Sequence, residues 1–216
     1  AQKSIKKGPF DSKQIQQILN ELLPVLQFIH EHKVIHRDIK PENIICRSSL
    51  PQTTGWRTNT NRLVLVDFGA AKVITGTSLM QPGTIIGSPE YVAPEQVRGH
   101  AIFASDIYSL GVTCIYLLTQ VSPFDLFDVM KDKWVWRDYL SQSMNSMLGR
   151  IIDKMLVTNP QMRYQSAVEV IKELNPDSPP PSLPNISSPT PSPTRRLTVS
   201  PTPSRPSIPT YTPPKQ

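Results

Sequence analysis

The sequence predicts a mainly helical α+β domain whose short β strands frame one charged loop, with a disordered tail behind it. Three observations predict it. Apolar residues recur at helical spacing in several long runs, short apolar pairs flank the stretch HRDIKPEN, and 14 of the 23 prolines lie from Pro176 onward. Those prolines sit among Ser and Thr with almost no apolar content, so residues 175–216 cannot bury enough surface to offset their ordering entropy. The folded part is therefore residues 1–174, large enough for a real core.

The first predicted helix has Asp11-Ser12 as its N-cap, just after Gly8-Pro9. Ile15, Ile18, Leu19, Leu22, Leu23, Leu26 and Ile29 give it one apolar stripe to about His32, and Pro24 is expected to kink it. Val34-Ile35 and Ile44-Ile45 read as short strands on either side of a loop containing Pro41. Residues 46–62 are rich in Ser, Thr, Asn, Gly and Pro and read as a surface hairpin insertion, anchored by Trp56. Leu63 to Val66 is an apolar strand that ends in Asp67-Phe68-Gly69. Ile107, Leu110, Val112, Ile115, Leu117 and Leu118 cover nearly every face of a central helix, which implies burial. A connector from Phe124 to Tyr139 follows, with Phe127, Trp134 and Trp136 expected to pack back onto the domain. Met144, Met147, Leu148, Ile151, Ile152, Met155 and Leu156 mark another core-facing helix, and a short one over Ser166–Leu174 closes the fold.

Charge and cysteine usage narrow the function. The net charge is +6, and the tail supplies half of it through Arg195, Arg196, Arg205 and Lys215 against Asp177. The rest is dispersed, with no basic cluster among aromatic platforms, so nucleic acid is not the expected partner. Cys46 and Cys114 lack metal-type spacing and read as reduced thiols of a cytoplasmic protein. No apolar run approaches the roughly 18 residues of a membrane span. His30, His32 and His100 have no ligand set nearby and are expected at the surface or at helix caps.

The chemistry is concentrated in Val34 to Ile45. Asp38 is a carboxylate able to accept a hydroxyl proton, Asn43 offers an oxygen to Mg²⁺, and Lys40 can neutralise a phosphate. A charged loop between strands is more often only solvated. Two further stretches decide against that reading: LVLVDFG over 63–69 and GSPEYVAPE over 87–95. With these three motifs in order, the chain resembles the eukaryotic-like, bacterial-type serine/threonine protein kinases, whose signatures include HRD…N, DFG and APE.

The resemblance implies a kinase-like fold and a role for each matched residue. Asp38 would orient or accept the proton of a substrate hydroxyl, and Lys40 would touch the transferred phosphate, favouring Ser or Thr substrates. Asn43 and Asp67 would bind the Mg²⁺ ions that bridge the ATP phosphates. Phe68 would pack behind the site and Gly69 would allow the turn. Arg37 would gather a phosphate on the segment Ala70–Glu90, with Thr84 the preferred acceptor and Thr77 second. Ser88 would position substrate, facing Asp38 and Lys40. Glu95 and Arg163 would form a buried structural pair, Asp106 would hold the catalytic-loop backbone, and His36 would be a packing residue.

The matched part is expected to be the large C-terminal lobe of a kinase domain, because no glycine-rich loop or Val-Ala-Ile-Lys strand precedes Val34. These 216 residues in isolation are then expected to be inactive, since they lack the elements that hold ATP. The competing reading is an inactive kinase-lobe interaction module whose proline-rich tail binds a partner that recognises Pro motifs.

Overall fold

α1 (Ser12–Glu31) starts on a reciprocal cap: Asp11 Oδ1 accepts the Gln14 N–H at 2.8 Å, and Gln14 Oε1 accepts the Asp11 N–H at 3.0 Å. The computed structural model that shows this describes residues 8–47, 62–73 and 87–177. Every apolar residue of the predicted stripe from Ile15 to Ile29 is buried. Pro24 lies within α1 without ending it. Trp56, Thr77, Thr84 and the tail beyond Asp177 lie outside the described residues.

Two small antiparallel ladders frame the loop after α1. β1 (Val34–Ile35) pairs with β4 (Lys72–Val73), and β2 (Ile44–Arg47) pairs with β3 (Arg62–Leu65) in the register Ile44 to Leu65. The Val66 N–H then donates to the Asn43 carbonyl at 2.9 Å, extending the second ladder by one bond. As a result the two ends of the charged loop, Arg37 and Asn43, are each tied to the chain that carries Asp67.

α2 (Pro94–Val97) is one turn, and α3 (Phe103–Thr119) is the central helix. All but Phe103 and Tyr116 of α3 are buried, as its all-round apolarity predicts. Its buried hydroxyls are satisfied along the helix, with Ser109 donating to the Ser105 carbonyl and Thr113 to that of Ser109. Gly111 lets α4 (Ser146–Met155) approach closely, since a Cβ there would lie 3.0 Å from that of Met155. α5 (Ala167–Leu174) packs its apolar face on α1 and α4.

The connector between α3 and α4 splits its aromatics. Trp136 is buried and donates its indole N–H to Asp153 at 3.1 Å, as expected. An unforeseen hairpin, β5 (Phe127–Asp128) with β6 (Lys133–Trp134), half-buries Phe127 and Trp134. Phe124, just before it, stays 62% exposed. Among the described residues, no helix is long and apolar enough to cross a membrane.

Candidate active site

Asp38, Lys40, Asn43 and Ser88 meet at one point. Asp38 Oδ1 accepts both the backbone N–H of Ser88 at 2.9 Å and its hydroxyl at 3.0 Å. Lys40 Nζ lies 3.1 Å from Asp38 Oδ2 and donates to Ser88 Oγ at 2.7 Å. Asn43 Nδ2 donates to the same Oδ2 at 3.0 Å and to the Asp38 carbonyl at 2.8 Å. Burial works to raise the Asp38 pKa, but the bonds from Lys40 and Ser88 outweigh it, so the carboxyl sits below the usual aspartate range. The group is therefore an oriented carboxylate at neutral pH, bonded to one hydroxyl and beside one ammonium.

The loop is held in place from below by Asp106, at the buried start of α3. Asp106 Oδ2 accepts the His36 N–H and Oδ1 accepts the Arg37 N–H, both at 2.9 Å. Arg37 has φ 70°, and its carbonyl accepts the Gln96 amide N–H at 2.7 Å. Its guanidinium Nε donates to the Ala70 carbonyl, which ties the loop to the residues after Asp67. Burial pulls the Arg37 pKa down, opposed by Asp106. His36 is fully buried, bonds the Val66 carbonyl through Nε2 at 3.1 Å, and has its pKa lowered by that burial. A packing role is what the resemblance implied for it.

Three expectations need correction. His30 was placed at the surface or a cap, yet it is buried, with Nε2 2.8 Å from Asp106 Oδ2 and its ring stacked on Phe103. The apolar stripe carries it inward: it follows Leu23 and Leu26 on the same face, a periodic signal available in the sequence. Gly69 was expected to supply the turn after Asp67, but Asp67 itself takes the left-handed conformation, at φ 62°. An aspartate tolerates it because its Oδ1 accepts the Gly69 N–H locally, at 3.2 Å. Phe68 was expected behind the site; it is 44% exposed, with one edge on the His36 ring. Only that one ring covers it among the aromatic contacts of the described residues.

Glu95 and Arg163 lie together. Arg163 Nη1 and Nη2 reach Glu95 Oε1 and Oε2 at 2.8 and 3.2 Å, and Nη1 also bonds the Ala104 carbonyl. Ser105 donates to Glu95 Oε1 at 2.7 Å. Burial would raise the Glu95 pKa, but these bonds hold it below the ordinary glutamate range. His32 caps α1 on the Phe28 carbonyl and His100 is exposed.

The site suits Mg²⁺ held jointly with phosphates. Since both Asn43 N–H bonds are used on Asp38, its side-chain oxygen is the atom left to face a cation. Asp67 is exposed, and among the described residues its Oδ1 is engaged by the local turn. No group of three or more His, Cys, Asp or Glu that could cage a metal occurs among the described residues. One carboxylate, one amide oxygen and a ligand's own phosphates match how Mg²⁺ is usually bound.

Comparison with known proteins gives the family of the chain. The family model described as protein kinase domain matches residues 1–174. Serine/threonine-protein kinase F of Synechocystis is 38% identical over 173 residues, covering 79% of this chain and 32% of the relative. Serine/threonine-protein kinase PknA of Nostoc is 34% identical over 175 residues, with 78% and 29% covered. PknB of Mycobacterium tuberculosis, also named a serine/threonine-protein kinase, is 30% identical over 177 residues, with 77% and 26% covered. The chain thus spans about a third or less of the length of these curated relatives.

Proposed function

We propose a function from one premise: the chain belongs to the protein kinase domain family. As part of its full-length protein, it serves to transfer the γ-phosphoryl group of ATP to serine or threonine hydroxyls of proteins. The observation that carries this reading is the Asp38 carboxylate, bonded by a hydroxyl at 3.0 Å with the Lys40 ammonium 3.1 Å away. An acceptor hydroxyl bound beside the Ser88 Oγ would be oriented by Asp38 and would lose its proton to it, while Lys40 neutralises the incoming phosphoryl oxygens. Asn43 and Asp67 would hold Mg²⁺, which supplies charge neutralisation across the phosphates of ATP. Ser88 positions the acceptor, Asp106 keeps the loop backbone in register, and the pair of Glu95 and Arg163 is structural. Arg37 gathers a phosphate carried by Thr84.

Lys40 favours Ser or Thr over Tyr as the acceptor, and the names of the relatives support that choice. We read residues 1–174 as the C-terminal lobe of such a domain, because helices dominate and the strands are two to four residues long. The free thiols of Cys46 and Cys114 fit a cytoplasmic setting.

The test is Asp38→Asn in the full-length protein. Radiolabelled phosphate transfer to a generic protein substrate should fall about 10²–10⁴-fold, the usual weight of a positioned base. The variant should stay folded, as circular dichroism would show, since the substitution is nearly isosteric. Near-normal incorporation by the variant would overturn the reading.

A further inference from the structure

Gln96 follows directly on the stretch GSPEYVAPE and belongs to the one-turn helix α2. It is 4% exposed, although a carboxamide is usually left in water. Its neighbour Glu95 is clasped by Arg163 and by Ser105 of α3, so the backbone that carries Gln96 is anchored. From there its Nε2 donates to the Arg37 carbonyl at 2.7 Å, shorter than most such bonds. Gly87 closes the other side of this bond. A Cβ there would lie 2.7 Å from the Arg37 oxygen and 2.9 Å from the Gln96 nitrogen.

That carbonyl belongs to the peptide that joins Arg37 to Asp38. A peptide unit is planar, so holding its oxygen sets the direction of its N–H and the place of the Asp38 Cα. The N–H itself meets only a weak acceptor, His36 Nδ1 at 3.4 Å. Asp106 grips the preceding peptide through the Arg37 N–H at 2.9 Å. The left-handed backbone of Arg37, φ 70°, thus has one buried side chain on each flanking peptide. Asp38 follows Arg37 and Ser88 follows Gly87, and these two bond each other at 2.9 and 3.0 Å. We propose that Gln96 is a positioning residue for phosphoryl transfer. Its amide locks the peptide before Asp38 against the residue before Ser88, and so holds carboxylate and hydroxyl in one frame. The inference rests on the kinase reading of Asp38. Gln96 bonds backbone rather than nucleotide or acceptor, so its loss acts on turnover and not on binding.

The experiment measures steady-state phosphate transfer to myelin basic protein by the full-length protein. Gln96→Met keeps the length and volume of the side chain but removes the donor. Its kcat should fall about ten- to a hundredfold, the scale of a small misplacement at the reacting atoms. KM for ATP and for the protein should stay within about twofold, and circular dichroism should be unchanged. Gln96→Glu gives a second readout, because its carboxyl can donate to the Arg37 oxygen only while protonated. Its activity relative to the unmutated protein should therefore rise as pH falls from about 8 to about 6, the range into which burial lifts a carboxyl. A merely structural side chain produces no such rise. A Gln96→Met kcat within about twofold of the unmutated value, whatever its KM, would overturn the proposal and leave the kinase reading intact. If that variant fails to fold, a Gln96→Glu ratio that stays flat with pH overturns it instead. No transfer by the unmutated protein, equal to the Asp38→Asn blank, would overturn both.

Discussion

Asp106 accepts the backbone N–H of Arg37 at 2.9 Å, so a carboxylate in the buried start of α3 holds a residue that has a left-handed backbone. A non-glycine residue in that conformation costs about 1–3 kcal/mol and persists only where its surroundings over-determine it. Here the second Asp106 oxygen on His36, the Gln96 amide on the Arg37 carbonyl and the Arg37 side chain on Ala70 all act on the same two residues. These bonds fix the backbone that leads directly into Asp38.

Asp106→Asn keeps the shape but replaces one acceptor by a donor facing a backbone N–H. Stability should fall by about 1–3 kcal/mol, the cost of a buried polar group left unpaired. Transfer activity should fall as well, because Asp38 follows directly on the released backbone. Chemical denaturation and a kinase assay on the same preparation check this; full activity in a destabilised variant would detach the loop from Asp106.

Lys40→Met should act on the pH profile as well as the rate. The Asp38 carboxyl lies below the usual range because bonds from Lys40 and Ser88 outweigh burial. Its ionised form therefore contributes stability in full above about pH 4, the unfolded value, and that contribution is lost as pH falls through the lower folded value. Without Lys40 one of the bonds that oppose burial is lost and the folded pKa rises. The acid limb of kcat/KM should shift to higher pH, with a rate loss of about 10²–10³-fold from the missing cation. An unmoved acid limb would mean that Lys40 does not set the state of Asp38.

Gly87→Ala tests a close approach. Gly87 has φ 115°, and a Cβ there would lie 2.7 Å from the Arg37 carbonyl oxygen and 2.9 Å from the Gln96 amide. Both neighbours belong to the bond that fixes the loop, so neither can give way alone. The substitution should cost more than about 1 kcal/mol and should lower transfer by displacing Ser88, the next residue. A crystal structure or melting curve indistinguishable from the unmutated protein would refute it.

Arg37→Ala and Thr84→Ala should reduce activity by similar factors, and the double variant should show little further loss, as for two partners in one interaction. Phosphopeptide mapping should find Thr84 modified in active protein. Additive losses would separate the two residues.

Helices α1 and α4 were legible because each repeats its apolar residues every three or four positions, and α3 because its apolar residues cover nearly every face. The motif residues Asp38, Lys40, Asn43, Ser88, Glu95 and Arg163 were legible by type and order, and the structure brings them into two clusters. β1 was legible as Val34-Ile35, but its partner β4 and the β5–β6 pair were not, since two residues carry no period. Nor was the exposure of Phe124: composition records that an aromatic is present, whereas tertiary packing decides whether anything covers it. Asp67 in place of Gly69 as the left-handed residue was missed for a related reason, because local side-chain bonding overrode the steric preference for glycine.

The pair of Glu95 and Arg163 closes a loop of 68 residues. Bringing such ends together costs about 4 kcal/mol of chain entropy, from (3/2)RT ln n. That cost is incurred before the guanidinium finds its carboxylate. Once shut, it joins the N-terminal end of α3 to the segment before α5 and makes their opening a single event. Amide hydrogens of Ser105 and Arg163 should then exchange with deuterium at one common rate, as members of one unfolding unit.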